Sequence, residues 1–488
     1  MEQQVTKMKG HIPKDKRKKI LLMCDDIRTH SGIGTVAREV VLHTAHHYNW
    51  VQVGAAIEHP EAGKKLDLSP STNEALGIED SHVQVYPYNG YGDPDFLRFI
   101  LETEQPDAIF LITDPRYWTW LFQIENEIRK KIPIVYLNIW DDYPAPMYNK
   151  PYYESCDLLM GISKQTVNIN KLVLGDKAKD KIISYVPHGL NHLYHKPIDE
   201  KYEKYDEFVK FKTDLFGGKD IDFALLFNSR NIRRKQVPDT IWAYTQFVDK
   251  LPLEKAKKCA LVLKTHKVDN NGTDLPAVVE MLCGDDPEGR YNIIFHDQKL
   301  ETEQMGWLYN CTDAQIQLTS NEGWGLSLTE ALLNENLIIA NVTGGMQDQM
   351  RFENEYGDWF TPDDRIPSNN TGTYKKHAPW AFPVFPTSRS IQGSPPTPYI
   401  WDDRCKAEDA AEQIANVYNL DKEERKKRGK LAREWALGDE AGFTSEKQGY
   451  RVIENLDKLF ETWVPREKYN LVNANNQPAK VVPHNLIY

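Results

Sequence analysis

Short apolar runs alternate with helix-length amphipathic stretches along most of this chain. The first run, 19–24 (KILLMC), is too short to favour a helix and stops at Asp25 and Asp26. A glycine-rich turn at 31–35 (SGIGT) then leads into a stretch with Val36, Val40 and Val41 at helical spacing. Strand, glycine turn, helix is how a Rossmann half begins. Further strand-like runs stand at 51–56, 108–112 (AIFLI), 134–137 (IVYL) and 158–160, separated by helix-length segments. That alternation predicts a mostly parallel sheet covered by helices on both faces.

A second cycle opens near residue 221, with strand-like runs at 223–227 (FALLF), 260–263 (ALVL), 293–295, 314–318 (AQIQL) and 337–340 (LIIA). Between the cycles, 191–219 is polar and charged, contains Gly217 and Gly218, and reads as the interdomain linker. Residues 361–401 are rich in proline, serine and aromatics and too long for an ordinary connection, so they read as an ordered functional insertion. Segments 407–435 and 445–463 read as helices, and 466–488 as a trailing arm. The expected organisation is a basic N-terminal tail over 1–19, a Rossmann-like domain over 20–200, and a second one over 201–445 with the insertion. A C-terminal helix crossing back, with a tail, fills 446–488.

Composition sharpens this picture modestly. A chain of 488 residues that is 40% hydrophobic, with 12 Trp and 24 Tyr, supports two buried cores. A net charge of −11 argues against a surface coated for non-specific polyanion binding but permits a local basic patch. The lysine-rich opening, with KDKRKK at 14–19, reads as a solvated, frayed tail; contact with a membrane surface or nucleic acid is the alternative. Six dispersed cysteines without a C-x-x-C suit reduced thiols in a cytoplasm-like compartment. No apolar run approaches the roughly 20 residues that span a bilayer.

The sharpest chemical signal is NEGWGLSLTEAL at 321–332. A strand ends, a Gly-x-Gly turn follows, and a helix opens at about Leu326. The backbone N–H groups of Trp324, Gly325, Leu326 and Ser327 then face outward at a helix start, where the dipole favours a phosphate or diphosphate. Glu322 and Glu330 flank that turn. Carboxylates repel phosphate, so beside it they suit hydrogen bonds from sugar or ribose hydroxyls. Taken alone, they read equally well as a loop glutamate and a helix-start glutamate on a solvated face.

Glu322-x7-Glu330 resembles the E-x7-E motif of family 4 retaining glycosyltransferases, which have the GT-B fold. SGIGT at 31–35 looks like that family's N-terminal glycine loop. GISK at 161–164 and YVPHGLN at 185–191 are similar to the segments that close its first domain. NSRNIRRK at 228–235 resembles the phosphate clamp opening its second, and VTGG at 342–345 its sugar-side glycine loop. The ordered resemblance covers about residues 20–350. It implies an α/β, GT-B architecture, two Rossmann-like domains facing across a cleft, and a nucleotide-sugar co-substrate, UDP- or GDP-linked, with no other cofactor and no metal.

The resemblance also assigns roles. Arg230 and Lys235 hold the donor diphosphate and stabilise the leaving nucleotide; a plain surface basic cluster with Arg233 and Arg234 is the other reading. Glu330 accepts from the ribose and Glu322 from the transferred sugar. Main-chain groups at Phe295 and Asp297 meet the nucleobase, and Gly32 and Gly34 let the first domain approach the diphosphate. Thr343, Gly344 and Gly345 line the sugar pocket, or form a plain turn after a buried strand. Asp93-Pro-Asp95 spells a D-x-D but sits in a Gly/Pro loop and reads as turn chemistry.

One departure concerns the acceptor side. Many relatives carry a histidine after the strand matching 134–137, where this chain has NIWDDYP at 138–144. Asp141 or Asp142 is then the candidate for a polar contact to the sugar or the acceptor nucleophile, and Trp140 for a stacking face. His188 reads as structural. In the insertion, Trp380, Phe382, Phe385, Tyr399 and Trp401 with Lys375, Lys376, His377 and Arg389 form either an acceptor platform or a proline-pinned flap. The chain also resembles phage-type glycosyltransferases, some of which glycosylate modified DNA bases, which would place it in a host cytoplasm. A modified DNA base, a glycan and a small molecule all stand as acceptors. A non-catalytic sugar- or nucleotide-binding module on this fold is the competing class, and a nucleotide-sugar hydrolase or epimerase a further enzyme alternative.

Overall fold

The computed structural model describes residues 10–29, 31–56, 58–361, 368–370 and 373–467. The expected tail at 1–9, parts of the insertion at 362–367 and 371–372, and most of the trailing arm lie outside the described residues. The chain divides into two compact units. One runs to Gly189 and takes in the C-terminal helix from Ser445; the other is Leu190–Thr444.

The first unit is built on an eight-stranded sheet. Its strands are β1 (Lys19–Asp25), β2 (Asn49–Ala55), β3 (Leu66–Asp67), β4 (Val83–Pro87), β5 (Ala108–Ile112), β6 (Ile134–Asn138), β7 (Leu158–Gly161) and β8 (Ile182–Tyr185). They lie in the order β3-β4-β2-β1-β5-β6-β7-β8, parallel except for the two-residue β3. Helices on both faces exclude water from the central strands, which is why β1, β5 and β6 read as unbroken apolar runs and not as alternating ones.

Helix Gly32–Thr44 follows β1. The Ser31 hydroxyl caps it, accepting from Gly34 N at 2.9 Å and donating to the Asp25 carboxylate at 2.8 Å. Gly34 is required there: a Cβ would fall 2.3 Å from Thr29 Oγ1. Helix Ser445–Thr462 packs on Gly32–Thr44, so close at Gly449 that a Cβ would meet the His43 carbonyl oxygen at 2.8 Å.

Two expectations are corrected here. Residues 10–19 are not a frayed tail. Arg17 is buried and bonds the Ile12 carbonyl and the Asp80 carboxylate, while Lys19 pairs with Glu104. Nor is 191–219 a linker. It belongs to the second unit and contains helix Tyr205–Leu215, which buries Phe208 against Trp307.

The second unit carries β9 (Phe223–Asn228), β10 (Cys259–Lys264), β11 (Ile293–Phe295), β12 (Ala314–Gln317), β13 (Leu337–Asn341) and β14 (Ala381–Val384). Their order, β11-β10-β9-β12-β13-β14, is entirely parallel, the 3-2-1-4-5-6 order of a Rossmann fold. The insertion therefore supplies the sheet's sixth strand. It then continues as an antiparallel hairpin of β15 (Ser388–Ser394) and β16 (Thr397–Arg404).

Candidate active site

Strand order reverses between β9 and β12, and in such sheets ligands sit beyond the carboxyl ends of the strands at that switch point. Both segments singled out in the sequence leave from there. Helix Leu326–Leu333 begins after β12, with Gly325 before it at φ 88°, a conformation glycine adopts without steric cost. The N–H groups of a first helical turn have no partner within the helix, so Leu326 and Ser327 offer donors to an anion. The Trp324 ring is buried, donates Nε1 to Thr329 Oγ1 and packs on Phe443.

Glu322 lies in the turn ahead of this helix. Its Oε2 accepts from Lys235 Nζ, from Arg234 Nη1 at 3.2 Å and from Gln317 Nε2 at 3.3 Å. Burial pushes its pKa up, but Lys235 and Arg234 outweigh burial and hold it at about 2. Arg234 also grips the Asn321 carbonyl, at 2.8 Å.

Glu330 stands one turn into the helix and has no such cation. Its Oε2 accepts from Tyr309 OH at 2.6 Å and from Asn228 Nδ2, at the end of β9, at 3.0 Å. Burial dominates, and its pKa rises to about 7. In both glutamates every one of these bonds falls on Oε2, which leaves Oε1 as the oxygen for a ligand hydroxyl.

The sugar-side turn meets the same cluster. Gly345 N donates to the Glu322 carbonyl at 2.9 Å, Gly344 N to Ser368 O at 3.0 Å, and Thr343 Oγ1 to Asp403 at 3.0 Å. Ser327 donates its hydroxyl to Gln317 Oε1. Phe295 ends β11 half-buried beneath the Lys267 ammonium, which is 3.8 Å from the exposed Asp297. Lys235, Glu322, Glu330, the 323–327 turn and 343–345 thus share one end of one sheet.

Arg230 does not join them. Its side chain is 59% exposed and pairs with Asp269, because Asn231 stitches this loop to the neighbouring one through the Thr273 carbonyl at 2.7 Å. Arg234, not Arg230, is the arginine that bonds Glu322. Tyr309, Gln317, Asp402 and Asp403 join the cluster without any local sequence signal, whereas Arg234 stands in the basic run at 233–235.

On the first unit, Gly32 and Gly34 open the helix already described. Three proposed acceptor residues are corrected. Asp142 is fully buried and spent internally, accepting from Tyr143 N at 2.7 Å and Gln165 Nε2 at 2.8 Å. Trp140 is buried too, with Nε1 on the Asp142 carbonyl at 2.6 Å and the Arg116 guanidinium over its ring. Trp380, in the second unit, is core: it donates to Gln349 O and packs on Trp435, so it forms no platform. Asp141 is half-buried. His188 is buried beside Gln448 and Ser163 caps helix Lys164–Leu174. Asp93 caps helix Pro94–Glu104, bonding Asp95 N and Phe96 N. Among the described residues, no group of three or more His, Cys, Asp or Glu is placed to hold a metal ion, and no helix is long and apolar enough to cross a membrane.

No protein-family model matches this sequence, and no curated protein matches it. Solved structures do. Anabaena HepE, crystallised with UDP and glucose, superposes with a TM-score of 0.61 at 12% identity, covering 91% of this chain and 100% of that one. Sucrose-phosphate synthase from Thermosynechococcus elongatus gives 0.61 at 14% identity over 91% and 100%. The α,α-trehalose 6-phosphate synthase of Burkholderia multivorans gives 0.57 at 11% over 91% and 99%. These are GT-B glycosyltransferases, and the chain has the α/β, GT-B fold that they share.

Proposed function

We propose that this chain is a retaining glycosyltransferase that moves a sugar from a UDP- or GDP-sugar to a hydroxyl acceptor, without an obligatory metal ion. One observation carries the reading: Lys235 and Arg234 converge on Glu322 at the turn before an anion-favouring helix start, while Glu330 waits one turn further in. Departure of the nucleotide builds negative charge on its diphosphate. Two cations and the first-turn N–H groups stabilise that charge, a task that needs no metal. Glu322 and Glu330, each anchored through one oxygen, present the other to sugar and ribose hydroxyls. The solved structures of HepE with UDP and with UDP-glucose support a uridine nucleotide as the first donor to try. The six free cysteines support a reducing, cytoplasmic setting.

The test is a screen of UDP-, GDP- and ADP-sugars for thermal stabilisation, because a ligand that binds only the folded protein raises its melting temperature. A hit is followed by nucleotide release with and without saccharide acceptors, in wild type and Lys235→Ala. Release that is faster with acceptor and lost in the variant is the expected result. Tight binding without turnover would favour a binding module, and acceptor-independent release a hydrolase.

A further inference from the structure

Strands β12 and β13 are neighbours, and the loops leaving their carboxyl ends are the two that carry Glu322 and 343–345. Asp403 of β16 is wholly buried where these loops meet. Its N–H donates to Ser320 O at 2.9 Å, and its carbonyl accepts from Asn341 Nδ2 at 2.8 Å. One carboxylate oxygen accepts from Thr343 Oγ1 at 3.0 Å and from Ser368 Oγ; the other accepts from Asn369 Nδ2 at 2.7 Å and Arg389 Nε at 2.8 Å. Next to it, Asp402 Oδ1 accepts from Ser320 Oγ at 3.0 Å and Asn321 Nδ2 at 2.8 Å, so Glu322 follows directly on two residues held by the hairpin. Gly345 N on the Glu322 carbonyl closes the loop of contacts.

A carboxylate in this position is a poor choice for stability alone. It loses its hydration and has one cation for company, and only replacing it together with its donors by apolar side chains would be cheap. What a carboxylate does that an apolar residue does not is fix several polar groups in one geometry. We propose that Asp403 is a positioning residue for the transferred sugar. It sets loop 343–345 against Glu322 before the donor binds, and the hairpin β15–β16 serves to hold it there. The proposal rests on the glycosyltransferase reading of this site.

The experiment compares wild type with Asp403→Asn, Thr343→Val and the double variant. Three quantities are read: affinity for the free nucleoside diphosphate, affinity for the nucleotide-sugar found in the donor screen, and kcat. Asp403→Asn should keep nucleotide affinity within about twofold, lose the extra affinity contributed by the sugar, and lower kcat by about 10- to 100-fold, the scale of a misplaced reacting group. Thr343→Val should reproduce the effect, and the double variant should be no worse than Asp403→Asn. Should Asp403→Asn fail to fold, Thr343→Val and Arg389→Ala carry the same comparison. Equal losses of nucleotide and nucleotide-sugar affinity, or an unchanged kcat, would overturn the positioning role while leaving the transferase reading intact. A wild-type protein that binds no nucleotide-sugar would overturn both.

Discussion

Glu330 gives the reading its most exposed quantitative consequence. Its carboxyl is half-buried and bonded only to neutral groups, Tyr309 and Asn228, and burial lifts its pKa to about 7. With that value the group is about nine-tenths ionised at pH 8 and about one-tenth at pH 6. A proton on the acid settles on Oε1, since Oε2 already receives two hydrogen bonds. A protonated Oε1 no longer accepts well from a ribose hydroxyl. If only the ionised form binds, donor affinity should fall about tenfold between pH 8 and pH 6, equivalent to about 1.4 kcal/mol. Calorimetric titration with a nucleotide-sugar measures this directly. The sugar-linked diphosphate does not titrate in that interval, whereas the terminal phosphate of a free nucleoside diphosphate does. His296, just after β11, has its pKa lowered, first by burial and then by the charge of Lys264. Glu330→Gln is the control: it keeps the shape and removes the titration, so its affinity should be flat with pH. A flat wild-type profile, or an equal slope in the variant, would show that Glu330 does not contact the donor.

The cation cluster gives a second set of outcomes: Lys235→Ala should lower turnover by about 10² or more, and Arg234→Ala should cost more than Arg230→Ala, read as kcat in one assay. The Glu322 pKa lies below its ordinary 4.5, at about 2, so its pairing stabilises the fold above pH 4.5 and that contribution is lost as pH falls towards 2. Near-UV circular dichroism should therefore show Glu322→Gln losing less stability than wild type across that window, by on the order of 3 kcal/mol. Trp380→Ala should destabilise the second unit by about 3–5 kcal/mol, seen as a lower melting temperature, and leave the acceptor KM unchanged.

The parts of this molecule legible in the sequence are those fixed by neighbours along the chain. An apolar run of five or six residues reads as a buried parallel strand because both its faces are covered, and β1, β5, β9 and β13 all declare themselves that way. The turn before helix Leu326–Leu333 is equally local: a glycine at positive φ and a helix start lie within a few residues of each other. The strand before this turn lies beside the strand before the basic run in the folded sheet, and that adjacency is what brings Lys235 to Glu322.

Choosing between side chains a few positions apart needs partners that the local sequence does not name. Arg230 and Arg234 lie four residues apart in one basic stretch. Asp269, on a loop some forty residues later, claims the first, and the Asn321 carbonyl together with Glu322 claims the second. The same holds for the aromatic residues. Trp140 and Trp380 carry the composition of a stacking surface, yet the Asp142 carbonyl and the Gln349 carbonyl draw their indole N–H groups inward. A buried Trp finds a partner for that N–H, and a partner inside the fold turns a ring from platform to core. Asp403 is the extreme case: its side-chain partners lie between 14 and 60 residues away, and nothing in the stretch around it distinguishes it from a charge at the end of a surface hairpin. At Asp403 local sequence and three-dimensional contact therefore disagree, and mutating that single side chain tells the two apart.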